Sequence, residues 1–137
     1  MKILVIDDNP ADRDLIITHI KQSKKRHKVT TEESNCLKDA ISKIIKNDYD
    51  VILLDLVLPE SDGIETVKAI LSILKETRKD IPVIVLTGME DYKVGREAYL
   101  LGIKDYLIKD EIATKDLSRA LNFATYDVRG QQKSILA

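Results

Sequence analysis

Three runs of four apolar residues, Ile3-Leu4-Val5-Ile6, Val51-Ile52-Leu53-Leu54 and Val83-Ile84-Val85-Leu86, interrupt an otherwise mixed chain. Each is too short for a helix and rich in branched side chains, so each predicts a strand buried on both faces. Val29-Thr30-Thr31-Glu32-Glu33 and Tyr106-Leu107-Ile108, the latter after Ile103-Lys104-Asp105, alternate instead, as half-buried edge strands do. Between the strands the apolar positions fall at helical spacing: Leu37, Ala40, Ile41, Ile44; then Ile64, Val67, Leu71, Leu74; then Leu117, Ala120, Leu121, Ala124, Val128. Residues 12 to 25, after Asn9-Pro10, predict the first helix. Residues 91 to 101, closed by Gly102, predict the fourth, which Gly95 weakens by about 1 kcal/mol relative to alanine.

Strand and helix thus alternate five times, and repeated units of this length require a parallel sheet with right-handed crossovers and helices on both faces. With the continuous runs central and the alternating ones at the edges, the expected fold is an α/β, flavodoxin-like, doubly wound five-stranded parallel sheet of order 2-1-3-4-5. One domain over residues 1–126 is expected, with residues 127–137 as a tail or the start of a linker.

Composition narrows the function classes. The 137 residues are 44% hydrophobic and 33% charged, with 22 basic against 23 acidic side chains and a net charge of −1. Bulk electrostatic attraction to nucleic acid or anionic lipid is therefore not expected. No apolar run exceeds four residues and the acidic start is no signal peptide, so membrane insertion is not expected and the cytoplasm is the expected compartment. A single cysteine, Cys36, excludes an internal disulfide and a thiolate-cluster zinc site.

In a parallel sheet all strands end on one edge, where ligands of such folds bind. There Ile6 is followed by Asp7 and Asp8, Leu54 by Asp55, Leu86 by Thr87 and Gly88, and Ile108 by Lys109. Carboxylates brought together stay ionised only when a cation neutralises them, and an all-oxygen set without imidazole or thiolate favours magnesium. Lys109, Thr87 and the Gly88 amide match the equatorial oxygens of a phosphoryl group in transfer, and Asp55 on the central strand is the candidate nucleophile that becomes an aspartyl phosphate. Asp7 and Asp8 are left to hold the metal.

These motifs, Asp7-Asp8, the segment Asp55-Leu56-Val57-Leu58-Pro59-Glu60-Ser61-Asp62-Gly63, Val85-Leu86-Thr87-Gly88 and Asp105-Tyr106-Leu107-Ile108-Lys109, closely resemble the receiver domain of two-component response regulators. The resemblance covers residues 1 to about 126. It implies that Asp55 takes a phosphoryl group from a sensor histidine kinase, a histidine phosphotransfer protein or a small phosphodonor. It also implies that Asp8, Asp55 and the Val57 backbone carbonyl bind Mg2+ directly and that Asp7 acts through water. Thr87 and Lys109 then bind phosphoryl oxygens. Thr87 and Tyr106 form the switch that alters the face of helix four, strand five and helix five. Asn9, Asp12 and Leu15 are the expected contacts for the phosphodonor protein. The output partner is not identified by the sequence; a phosphorylation-dependent homodimer is one expected form of output, and direct binding of nucleic acid by this chain is not expected. With no effector domain after residue 126, output through the surface, or through a domain beyond the chain, is expected.

The chain departs from the family pattern at two places. Asp110 stands where the family usually has proline. Val57 and Met89 flank the site with apolar groups that cannot orient an attacking water, which predicts slow loss of phosphate from Asp55. Two other reaction types on similar sheets fit less well: a haloacid-dehalogenase phosphatase needs an acid where Val57 stands, and a flavodoxin-like phosphate site would be repelled by Asp7-Asp8-Asn9-Pro10. A receiver fold that binds partners without being phosphorylated is the rival reading. The run Lys24-Lys25-Arg26-His27-Lys28 is expected to be a solvated helix end rather than a nucleic-acid patch, and neither His19 nor His27 has metal-like spacing. Cys36 is expected as a small, half-buried residue at the start of the second helix, and Phe123 and Tyr126 as core residues of the last, with a place on an output face as the second reading.

Overall fold

A computed structural model describes residues 1–23, 28–111 and 114–125. Five strands, β1 (Lys2–Ile6), β2 (Thr30–Ser34), β3 (Val51–Leu54), β4 (Val83–Thr87) and β5 (Asp105–Ile108), alternate with five helices, α1 (Pro10–Ser23), α2 (Leu37–Lys46), α3 (Ile64–Glu76), α4 (Tyr92–Leu101) and α5 (Thr114–Thr125). The strands are all parallel and lie in the order β2-β1-β3-β4-β5, as the hydrophobic pattern requires.

The period of two along each central strand splits the core in half. Leu4, Ile6, Ile52, Leu54, Val83 and Val85 point to the side covered by α2, α3 and α4, where Ala40, Ile44, Val67, Ile70 and Ala98 meet them. Ile3, Val5, Val51, Leu53, Ile84 and Leu86 point to the other side and pack on Ile16 and Ile20 of α1 and on Leu117 and Leu121 of α5. A strand buried on both faces is continuous in its hydrophobicity for this reason.

Local signals set the helix ends with small corrections. α1 begins at Pro10, two residues before the expected start, because Asn9 Oδ1 accepts the Asp12 amide at 3.1 Å and proline suits the first helical position. Gly102 closes α4 in a left-handed conformation, φ 119°, and donates its amide to the carbonyls of Ala98 and Tyr99. Cys36 caps α2, its sulfur accepting the Asp39 amide. β2 runs one residue later than expected.

Phe123 is not a core residue. It is 71% exposed, beside Leu107, Asp116 and Arg119 on the outer flank of β5 and α5. Leu117, Ala120, Leu121 and Ala124 already fill the stripe of α5 that faces the sheet, and position 123 falls outside that stripe. The expectations for Tyr126, for the tail 127–137 and for Lys24 to His27 lie outside the described residues.

Candidate functional site

The strand register assembles the site. Ile6 pairs with Leu54, so Asp7 and Asp55 emerge side by side, and Thr87 pairs with Ile108, so Lys109 follows directly beyond it. The Asp7 amide donates to the Ser34 carbonyl at 3.0 Å and the Asp55 amide to the Ile6 carbonyl at 2.9 Å, extending the ladder into the acidic positions themselves. The three carboxylates expected to hold metal, Asp7, Asp8 and Asp55, bring one oxygen each to within 4.8 Å of one another.

Asp55 is the centre of the arrangement and only 7% exposed. Its Oδ1 accepts the Thr87 hydroxyl at 2.8 Å and the Val57 amide at 3.3 Å, and its Oδ2 accepts Lys109 Nζ at 2.8 Å. Lys109 Nζ also donates to Asp12 Oδ2 at 2.9 Å and lies 2.6 Å from Asp7 Oδ2. The contact with Asp7 is off the hydrogen-bonding axis, so this buried oxygen has an ion-pair neighbour without a directed hydrogen bond. Burial pushes the Asp7 carboxyl above the ordinary range, against the opposing pull of Lys109 and the Asn9 amide. Burial alone works against the Lys109 charge too, but its contacts with Asp55, Asp7 and Asp12 outweigh that and hold its pKa above the ordinary lysine value.

The donor set suits a hard divalent cation. It consists of carboxylate oxygens, it crowds negative charge that one ammonium cannot neutralise, and it leaves a buried Asp7 oxygen without a directed partner. Asp8 is exposed and faces a cleft of about 780 Å³ whose walls include Asn9, Asp12, Leu15, Val57, Thr87, Gly88, Met89, Lys109 and Asp110. His19, half-buried, lines the same cleft. Val57 is 47% exposed there.

Tyr106 stands apart from the carboxylates. Its hydroxyl donates to the Met89 carbonyl at 2.7 Å, in the loop that leaves Thr87, and its ring lies where a side chain on Gly95 of α4 would reach it at 3.6 Å. Burial, followed by the charges of Asp91 and Asp55, raises its pKa. The expected switch pair is thus linked through a single loop residue, Met89, since its amide donates in turn to Thr87 Oγ1 at 3.3 Å.

Several supports have no sequence signature. Arg13 Nη1 donates to the Asp7 carbonyl at 2.7 Å while its Nε pairs with Glu33, which fixes the turn bearing Asp7 and Asp8. Thr66, fully buried on α3, donates to the Leu56 carbonyl at 2.9 Å and shares a hydrogen bond of 2.7 Å with Ser61. The Glu60 carboxylate accepts the Leu37 and Lys38 amides at 2.9 and 3.0 Å, so the loop after Asp55 caps α2.

Residues 3–122 match the family model for the response regulator receiver domain. Among curated proteins, the transcriptional regulatory protein ResD of Bacillus subtilis is 32% identical over 108 residues, 79% of this chain and 41% of that protein. The response regulator SaeR of Staphylococcus aureus is 32% identical over 120 residues, 88% of this chain and 48% of that protein. The chain therefore spans less than half the length of these relatives. Among solved structures, the receiver domain of the Francisella response regulator 1452 is 30% identical, with a TM-score of 0.68 over 90% of this chain and 94% of that one. A two-component response regulator from Clostridium difficile, 23% identical with a TM-score of 0.75 over 90% of this chain and 94% of its own, shares the fold.

Proposed function

The chain belongs to the response regulator receiver domain family, and from that premise we propose that Asp55 accepts a phosphoryl group, in a magnesium-dependent reaction, from a histidine kinase or a histidine phosphotransfer protein. The observation that carries the proposal is the clamp on Asp55: a hydroxyl on one carboxylate oxygen, an ammonium on the other, and two further carboxylates within metal-sharing distance.

An oxygen of Asp55 attacks phosphorus, the bond from phosphorus to the donor's imidazole nitrogen breaks, and the imidazole leaves with the electron pair and takes a proton from water. Asp8, Asp55 and the Val57 backbone carbonyl are the proposed direct ligands of Mg2+, with Asp7 acting through a bound water. A bound magnesium ion supplies the charge neutralisation that lets an anionic carboxylate meet an anionic phosphoryl group. Lys109, whose amine donates to Asp55, redirects one N–H hydrogen bond to a phosphoryl oxygen. Thr87 does the same with its hydroxyl, and the Gly88 amide lies on the cleft wall for the third.

Thr87 and Tyr106 are the proposed switch, and the face of α4, β5 and α5 its readout, to an output partner or to a second phosphorylated copy. The short path from Asp55 through Thr87 and Met89 to Tyr106 supports this reading. Asn9, Asp12 and Leu15 line the cleft beside Asp55 and are the proposed contacts for the donor protein. Val57 and Met89 line it as well and offer the site no polar side chain, which supports slow hydrolysis of the aspartyl phosphate. The chain acts as a signalling domain that catalyses only its own phosphorylation and dephosphorylation. Residues 1–126 are the proposed receiver unit, the cytoplasm its proposed compartment. Among the described residues no helix is long and apolar enough to cross a membrane.

Intact-mass spectrometry after incubation with acetyl phosphate and magnesium tests the proposal. A single phosphoryl adduct, lost when magnesium is chelated and absent from Asp55→Asn, is expected. An unmodified wild type under both small-donor and kinase-driven conditions would contradict it.

A further inference from the structure

Lys109 carries three N–H donors, and the fold surrounds it with three carboxylates. Two of them, Asp7 and Asp55, belong to the group that comes together within 4.8 Å; the third, Asp12, does not. Asp12 reaches the amine from the first turn of α1 at 2.9 Å, across 97 residues of sequence, and its own amide is fixed by Asn9 Oδ1. Its side chain is 41% exposed, so its charge costs little to keep.

We propose that Asp12 is a positioning residue for phosphoryl transfer, holding the Lys109 ammonium in place while the other two partners of that ammonium are taken up by the cation and the phosphoryl group. The inference rests on the reading of Asp55 as phosphoacceptor. When Asp55 becomes an acyl phosphate and Asp7 turns to the cation, both carboxyl groups lose most of their attraction for Lys109. A lysine amine on a flexible four-carbon stem then has only the incoming phosphoryl oxygens to hold it, and an acceptor outside the reacting set restricts the rotamers from which it meets them. Asp12 is such an acceptor, and it leaves two of the three N–H groups free for the phosphoryl oxygen and its neighbours. Its place on the cleft wall does not require a partner for this effect, because the effect is transmitted inside one molecule.

The test uses acetyl phosphate, which needs no docking surface, and follows adduct formation by intact mass for the wild type, Asp12→Asn, Asp12→Ala, Lys109→Ala and the double variant. Asp12→Ala is expected to slow modification roughly 3- to 10-fold, and Asp12→Asn, which keeps an acceptor oxygen, to slow it less. In the Lys109→Ala background the Asp12→Ala change is expected to have no further effect, a coupling that a merely structural loss would not produce. In metal-free protein, the Lys109 Nζ resonance in nitrogen-proton NMR spectra is expected to broaden in Asp12→Ala as its protons exchange faster with water, and unfolding midpoints establish that each variant is folded. Unchanged rates in Asp12→Ala would overturn the inference alone, as would additive losses in the double variant or a defect confined to transfer from a protein donor. Absence of any adduct in the wild type would overturn the phosphoacceptor reading and this inference with it.

Discussion

The loop that follows Asp55 and the flank formed by α4 and β5 are both needed to make a phosphoryl group matter, yet they are built in opposite ways. The loop is tied at nearly every step: the Leu56 carbonyl to buried Thr66, Leu58 and Ser61 to each other, and Glu60 to the start of α2. The flank is lightly held. All four residues of β5 are half-buried where β4 is wholly buried, and Tyr106 is anchored by one hydroxyl and by a ring laid against Gly95. Tyr99 satisfies the edge of β5, its hydroxyl accepting the Tyr106 amide and donating to Asp105, so the strand end is paired by a side chain that can rotate. A reaction centre requires donors that do not shift by an ångström, whereas a readout requires alternatives of similar energy. The contrast in construction divides those two tasks between the two regions.

The contrast breaks most visibly at Thr66. Thr66→Val preserves shape and removes the hydroxyl, leaving the buried Leu56 carbonyl without its partner, which is expected to cost about 1–3 kcal/mol in urea unfolding. Because the loop carries Val57, slower modification of Asp55 by acetyl phosphate is expected in the same variant. Full stability together with a wild-type rate would show that the loop is not the rigid partner.

On the other side, Gly95→Ala is expected to stabilise the protein by up to about 1 kcal/mol, since alanine is the better helix former and the new methyl would meet the Tyr106 ring at an ordinary contact distance of 3.6 Å. Chemical denaturation measures this. A destabilised variant would mean that the space beside the ring is needed in the resting state as well.

The smallest effect concerns pH. The Lys38 and Leu37 amides hold the Glu60 carboxyl below its ordinary range, so its contribution is complete above the unfolded pKa and fades as pH falls through the folded one. In Glu60→Gln, stability measured from about pH 5 downward is expected to decline less steeply than in the wild type, since the carboxylate that loses its charge there is gone. An unchanged acid limb would remove Glu60 from the loop's fastenings.

How much of this was legible beforehand depended on whether the signal was local. Uninterrupted runs fix the central strands because both faces must be apolar, and the residues after them are then forced onto one edge. That placement singles out Asp7, Asp8, Asp55, Thr87 and Lys109, and the fold brings them together. Contacts between distant segments left no trace in any short window: Arg13 on the Asp7 carbonyl, Glu60 on α2, Asp12 on Lys109. Phe123 shows a different failure. Periodicity locates a residue on the margin of an apolar stripe, but whether the margin is covered depends on a neighbouring element, and beside α5 the narrow edge strand β5 leaves the ring in water.

The central claim is that one carboxylate among several close together becomes the acyl phosphate. Borohydride reduction of the protein after exposure to magnesium and acetyl phosphate converts an aspartyl phosphate to homoserine, which peptide mapping locates. Homoserine at position 55, formed only when magnesium is present, is the predicted result. Homoserine at position 7 or 8 with Asp55 intact would contradict the account.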